Sequence, residues 1–343
     1  MNITIHKVAE EAGVSTAAVS IALSSKQGKN RRLAGKTIEH IRNVARSMGY
    51  RPNLLASNLR LSKTNTIGVL IAALHGDFYE KILAGINKKF SGSYTPMLGV
   101  HNYDSNNECR QLEVLLGSRV DGVIATFSGN PESIALYYEL SSRYKIPLVL
   151  VDRNIPGVDL PVVRSDHYGQ TYEAAKALIK LGHKHILYFT AAIAQLESTE
   201  LRKQGYFDAM KESNLENELK IIAKSGIRDL KLYAREIIDF WQNSPARATA
   251  ILVQNDWLGY ELLTECKLRK IQVPEELSIM GLDDCYLSSL EEIGLSSVAQ
   301  NPEMIGYKAA ELLNNLIEGK TWDGKVVILP TEVVMRKTTK AFD

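Results

Sequence analysis

Four side chains near the amino terminus, Thr16, Ala17, Ser20 and Ile21, recur at the spacing that gathers residues on or near one side of a short helix. Hydroxyls and small apolar groups in that arrangement suit hydrogen bonds and thymine-methyl contacts at the edges of DNA bases. Just downstream runs the basic stretch Lys26-Gln27-Gly28-Lys29-Asn30-Arg31-Arg32, whose Arg31 and Arg32 fit phosphate oxygens better than bases. The constellations of catalysis are missing. The glycines from Gly68 to Gly76 do not make G-x-G-x-x-G, and Gly35-Lys36-Thr37 and Gly319-Lys320-Thr321 have Asn30 and Asn314 where a phosphate loop needs glycine. No G-x-S-x-G occurs, and the seven histidines show no metal-ligand spacing. An enzyme is therefore not expected.

The candidate base readers need helices to present them. In the first, Val8, Ala9 and Ala12 share one face while Lys7, Glu10 and Glu11 point away. Gly13 can take the positive φ that ends a helix, and Ser15 is a good N-cap for the next. Val14, Val19 and Leu23 then anchor the second helix, and a third from about Lys36 to Met48 carries Ile38, Ile41, Val44, Ala45 and Met48 on its inner face. Two helices joined by so short a turn predict a helix-turn-helix that lays its second helix in a major groove. The bland alternative is a small helical bundle with no nucleic acid partner. Charge argues against it: residues 1–65 hold eleven lysines and arginines against three acids, net +8, whereas the whole chain is only +2 and the remainder is net −6. Such segregation is the footprint of phosphate neutralisation.

A chain of 343 residues exceeds one core, so two or three domains are expected. From Thr66 onward short apolar runs alternate with amphipathic stretches. The runs are 67–73, 97–100, 122–125 and 147–151, then 186–189, 221–223, 250–253 and 277–280. Helical patterns lie between them at about 78–90, 106–117 and 131–144, then 168–181, 199–213, 229–243 and 257–270. This rhythm predicts two α/β lobes with parallel sheets and a ligand site between them, beyond the strand ends. Cys109, Cys266 and Cys285 are too scattered for a disulfide framework or zinc site, and neither a secretory signal nor a membrane-length apolar run is present. A cytoplasmic protein with no membrane partner is expected.

The order of these parts resembles the lactose-repressor (LacI) family of bacterial transcription regulators. The resemblance rests on Thr4-Ile5-His6-Lys7-Val8-Ala9-Glu10-Glu11-Ala12-Gly13-Val14-Ser15, Gly49-Tyr50-Arg51-Pro52-Asn53, Thr66-Ile67-Gly68-Val69-Leu70, Val120-Asp121-Gly122-Val123-Ile124, Gln254-Asn255-Asp256 and Gly281-Leu282-Asp283-Asp284. It implies an all-α helix-turn-helix domain at 1–50, a hinge helix and linker at 51–65, and a two-lobed periplasmic-binding-protein-like domain at 66–343. Lobe 1 is expected at about 66–163 and 293–322, lobe 2 at about 164–292 and 323–340. The implied partners are double-stranded operator DNA, a small-molecule effector and a second copy of the chain. With no leucine-heptad tail after Arg336, a homodimer is the expected assembly. DNA contacts are implied for Thr4, Ser15, Tyr50, Asn53 and Ala56, and Leu59 holds the position of a minor-groove wedge in a hinge that folds on DNA. The ordinary alternative there is a linker in which Leu55 and Leu59 pack as a local pair. Ile21 departs from the polar or arginine residue common in the family, so recognition is expected to lean on methyl contacts, the wedge and DNA shape.

For the lobes, the resemblance implies effector contacts by Phe78, Asp152, Arg153, Arg202, Asp256, Asp283 and Gln300. Carboxylates and a guanidinium fork suit vicinal hydroxyls, and a flat aromatic face suits a sugar or base ring. A sugar-like effector, and no cofactor, is expected, with a nucleoside or purine as the alternative. The segment Leu74-His75-Gly76-Asp77-Phe78 lacks the Asn-Pro usual before the aromatic, so that wall of the pocket is expected to differ. Helix caps, core packing and surface ion pairs are the plain readings of the same residues. A solute-binding protein of the same two-lobed build is disfavoured by the missing export signal and the basic amino-terminal module.

Overall fold

The computed structural model describes residues 3–23, 33–51, 63–74, 76–191, 196–224, 229–245 and 247–342. The chain divides into two compact units, Met1–Thr64 and Asn65–Asp343. In the first, helices α1 (Ile5–Glu11), α2 (Thr16–Ala22) and α3 (Gly35–Ser47) surround a core of Val8, Ala9, Ala12, Val19, Ala22, Ile41 and Ala45. Gly13 takes φ +63° at the turn, and the Ser15 hydroxyl accepts from the Ala18 amide at 3.2 Å. Arg42 of α3 donates from Nε to the Ala22 carbonyl at 3.1 Å, satisfying an acceptor left open at the end of α2.

The second unit has twelve strands among its described residues. In chain order they are β1 (Thr66–Ile71), β2 (Thr95–Val100), β3 (Gly122–Ala125), β4 (Leu148–Val151), β5 (Val162–Ser165), β6 (Ile186–Ala191), β7 (Lys220–Lys224), β8 (Ala250–Val253), β9 (Ser278–Met280), β10 (Ser297–Ala299), β11 (Val327–Leu329) and β12 (Glu332–Val334). Lobe 1 is a parallel sheet in the order β11-β5-β4-β3-β1-β2, and lobe 2 a parallel sheet in the order β7-β6-β8-β9. The antiparallel pair β10-β12 joins lobe 2 through parallel bridges Met280–Ser296 and Asp283–Ala299. All eight apolar runs of the sequence hold strands; β1, β3, β4, β8 and β9 are buried almost throughout, as parallel strands covered on both faces are, whereas the edge strands β2 and β7 stay largely exposed or half-buried.

The helices of this unit are α4 (Asp77–Phe90), α5 (Ser105–Gly117), α6 (Ile134–Tyr138), α7 (His167–Lys180), α8 (Glu197–Glu212), α9 (Leu230–Asn243), α10 (Asp256–Leu268) and α11 (Pro302–Ile317). Asp104, Asp166, Asp229, Asn255 and Asn301 cap α5, α7, α9, α10 and α11, each accepting from a backbone amide three residues on. The single helix expected at 131–144 is three consecutive pieces: a 3-10 turn at Pro131–Ser133, then α6, then a π turn at Glu139–Arg143.

The chain crosses between the lobes three times, after β5, after β10 and after β11. The bounds expected at 293 and 323 each fall one strand early, since β10 still pairs within lobe 2 and β11 pairs with β5 of lobe 1. Both are three-residue strands, too short for periodicity to mark. Every crossing leaves the carboxyl end of a strand, so those ends line the space between the lobes.

Candidate functional site

In the first unit, α2 offers an uncharged outer face. Ser15, Ala17 and Ser20 are exposed, Thr16 and Ile21 half-buried, and Ile21 is not among the residues packed on the core. The Ser15 hydroxyl already serves as the cap of α2. Thr4 is exposed at the start of α1 and makes no side-chain cap bond, whereas Tyr50 packs partly against the helical core. Arg31, Arg32, Asn53, Ala56 and Leu59 lie outside the described residues.

In the second unit, the buried strand β4 ends at Asp152, whose φ of +68° turns the chain so that Asp152 and Arg153 leave the strand end together. The Tyr79 hydroxyl of α4 donates to Asp152 Oδ2 at 3.1 Å, and Arg153 Nε lies 3.5 Å from the same oxygen. Arg153 also donates to the carbonyls of Phe127 and Ser128 at 3.3 and 3.4 Å and sits 5.2 Å from the centre of the Tyr103 ring. Those carbonyls are held from behind by Glu108, a fully buried carboxylate that accepts from Ser128 N, Ser128 Oγ and Tyr137 Oη at 2.9, 2.6 and 2.8 Å. Burial, and the Tyr103 and Asp152 charges, hold the Tyr79 phenol well above its ordinary range.

His167, the first residue of α7, meets this group from the other lobe: its Nε2 lies 2.8 Å from the Asp152 carbonyl. Burial first, and then the Arg202 charge, depress its pKa to about 4. The neutral ring therefore carries its proton on Nε2, facing a carbonyl that can only accept, and Nδ1 is left as a bare acceptor. One turn along, Gln170 accepts from Arg202 Nε at 3.0 Å, and the Arg202 carbonyl accepts from Thr171 Oγ1 at 2.7 Å, so α8 is tied to α7. Asp283 follows β9 with φ +120° and accepts from Gln300 Nε2 at 2.5 Å. Burial pushes its carboxyl well up, helped by the Asp256 and Asp152 charges and opposed by Arg202, so acids and base of both lobes converge on it.

Asp152, Arg153, Arg202, Asp283 and Gln300 thus come together from the two lobes. Asp256 does not. It is 0% exposed, with Oδ1 taken by Ser297 Oγ at 2.5 Å and Oδ2 by Cys285 N and Ser288 Oγ at 2.8 and 2.6 Å. As the first residue of α10 it accepts these three bonds from the protein itself and so ties the 285–288 segment to β10. Burial raises its pKa to about 6. Phe78 is half-buried against the lobe 1 core, edge-on to Tyr79 with ring centres 5.1 Å apart.

Sequence reasoning missed Tyr79, Tyr103, His167 and Gln170. Of these, His167 Nδ1 and Gln170 Nε2 are buried polar atoms without a partner, as is Gln300 Oε1. A signal existed for His167, directly after the cap Asp166 and a strand end, but only a reader who had placed β5 would see it.

Comparison with known proteins follows the same division of the chain. Residues 4–53 match the profile of bacterial regulatory proteins of the lacI family, and residues 175–339 that of a periplasmic binding protein-like domain. The chain is 30% identical over 346 residues to the HTH-type transcriptional regulator DegA of Bacillus subtilis (strain 168), covering 99% of this chain and 98% of that one. The chain belongs to the LacI family. Catabolite control protein A of Priestia megaterium is likewise 30% identical, over 348 residues, covering 99% and 100%. Among solved structures, the lac repressor dimer bound to operator and the anti-inducer ONPF shares the fold with a TM-score of 0.82 at 23% identity, covering 99% and 100% of the two chains. A cellobiose complex of the regulator CelR does so with a TM-score of 0.69 at 22% identity, covering 98% and 100%. The protein is a LacI-family DNA-binding transcriptional regulator under effector control, and members of this family are not enzymes. Among the described residues, no helix is long and apolar enough to cross a membrane.

Proposed function

We propose that the protein is a repressor that binds a symmetric operator as a homodimer and is controlled by a sugar-like effector held between its lobes. The observation that carries the effector reading is the set of buried, unpartnered polar atoms offered by His167, Gln170 and Gln300 beside Asp152, Arg153, Arg202 and Asp283. Two of those acids sit at positive φ where their strands end, a backbone cost that tends to gather at ligand sites. Acceptors and donors so mixed suit a polyhydroxylated ring better than a flat base. Relatives of the same fold are solved with cellobiose, D-xylulofuranose and ribose. Phe78 would supply an apolar wall. On DNA, Thr4, Ser15, Thr16, Ala17, Ser20 and Ile21 would face bases and backbone, with Arg31, Arg32, Tyr50, Asn53, Ala56 and the Leu59 wedge completing the contact.

The test is fluorescence anisotropy of the full-length protein on duplexes selected from random sequence, repeated across salt and with sugars, polyols and nucleosides added. Expected are a symmetric site, affinity that falls steeply with salt as several phosphates are neutralised, and release by a sugar. No preferred duplex at any salt would sink the DNA reading, tighter binding on adding the effector would make it a corepressor, and a response to nucleosides alone would replace the sugar.

A further inference from the structure

We infer that the effector is an anionic sugar derivative, carrying a carboxylate or phosphate whose charge is met by Arg164 at the junction of the lobes. This rests on the interlobe site being the effector site. Arg164 is the third residue of β5, one residue before the strand end, and is 7% exposed. Its NH1 donates to the Ser165 carbonyl at 3.0 Å, and its Nε is buried with no partner. Among the described residues the arginine ion pairs of this region are Arg153–Asp152 at 3.5 Å and Arg336–Asp284 at 2.7 Å, and neither Arg164 nor Arg202 is in one. A guanidinium does not surrender its proton, so a buried one lacking a carboxylate is costly unless something else brings the negative charge.

The neighbours place that charge at the effector site. Arg202 and Arg164 both act on His167, which stays neutral, and Arg202 lies close enough to Asp283 to oppose the rise of its pKa. Asp283 is pushed toward its uncharged form by burial and by the Asp256 and Asp152 charges, and the Asp152 carboxylate is engaged by Tyr79 and Arg153. The unpartnered atoms sort into two kinds. His167 Nδ1 and Gln300 Oε1 accept, which suits ligand hydroxyls; Arg164 Nε and Gln170 Nε2 donate, which suits an oxyanion. A neutral sugar would satisfy the acceptors and leave the Arg164 charge unmatched.

The test is thermal shift and calorimetry on the full-length protein at constant ionic strength, using matched probes: D-glucose with D-gluconate, D-glucuronate and D-glucose 6-phosphate, and D-ribose with D-ribose 5-phosphate. Stabilisation is expected from anionic members and not from their neutral counterparts, and whether acids or phosphates act identifies the source of the charge. R164Q should weaken that binding on the order of 10- to 100-fold, as loss of a charge-assisted hydrogen bond does. R164K should restore part of it. Without ligand, R164Q should melt no lower than the wild type, because it removes an unmatched buried charge; a merely structural Arg164 would lower the melting temperature. The inference is overturned if a neutral probe binds as well as its anion, if R164Q binds the anion unchanged, or if no probe shifts the melting temperature. Anion binding that survives both R164Q and R202A would instead remove the interlobe site from effector binding altogether. A neutral sugar lost in R202A but kept in R164Q leaves the site standing and the anion refuted.

Discussion

His167 and Asp256 give the second unit two opposing responses to acid. His167 has a folded pKa of about 4 against an ordinary 6.5, so between those values the unfolded chain binds a proton the folded chain refuses, and stability falls as pH drops. Asp256 has a folded pKa of about 6 against 3.8, so in that window the folded chain holds the proton and stability falls as pH rises. Removing the first should expose the second. H167Q, which can still donate to the Asp152 carbonyl, is expected to lose about 2 kcal/mol less stability than the wild type between pH 7 and pH 5. Urea midpoints across that range check it, and parallel curves for the two proteins would show that His167 titrates freely. What was legible at this scale was local. Gly13 and Ser15 declare a turn and a cap because both act within three residues. Asp256 sits at a strand end as its position promised, but Ser288 and Ser297 return from 32 and 41 residues away to claim it. His167 and Gln170 acquire their roles from Asp152 and Arg202, 15 and 32 residues distant, and nothing in their own neighbourhood announces it.

Helices α4 and α11 pack through two glycines, which makes a sharp contrast available at the level of elements. A Cβ on Gly85 would strike the Glu303 carbonyl, and one on Gly306 the Ile82 carbonyl; these are backbone atoms with little freedom to move. Gly117, at the end of α5, is exposed and would meet nothing within 4 Å. Alanine gains up to about 1 kcal/mol of helix propensity over glycine, while overpacking a tight contact costs about 1–3 kcal/mol. G306A is therefore expected to lower the denaturation midpoint and G117A to hold or raise it. Equal behaviour of the two variants would mean that the helices separate at no cost. The alternation of helices and strands was readable because β1, β3, β4 and β8 are buried apolar runs. β5 was not, since Arg164 interrupts its short run, and the hidden strand took with it the clue to both Arg164 and His167. In the 131–144 segment the apolar spacing shows that the chain is helical but not that its winding changes twice.

At the scale of the whole effector-binding unit, the chain crosses between the lobes three times, and further contacts bridge them besides the one from His167 to the Asp152 carbonyl. Leu196, just ahead of α8 in lobe 2, is buried in the core cluster of lobe 1 with Phe127 and Ile155. Across the site, the Tyr286 amide of lobe 2 donates to Asp77 Oδ2 at the start of α4, 3.0 Å away, and Gly76 leaves room for Trp257 of α10 where a Cβ would collide with the indole nitrogen. Contacts between lobes stabilise the arrangement that has them against any in which the lobes part. A ligand favouring the closed arrangement then binds more weakly when a contact is cut, by the free energy of that contact. D77A removes the acceptor for Tyr286 and should weaken the effector about 5-fold, the equivalent of one ordinary hydrogen bond near 1 kcal/mol. D77N keeps an oxygen that can accept from the same amide and should stay close to wild type. Because coupling is reciprocal, the factor lost by the effector in D77A must reappear as an equal loss in its influence on operator affinity if the bridged arrangement is the one the effector selects. Calorimetry for the effector and anisotropy on operator DNA measure the two factors separately. If D77A changes neither, the bridge persists in both arrangements and takes no part in switching; unequal factors would place it outside the two-state coupling.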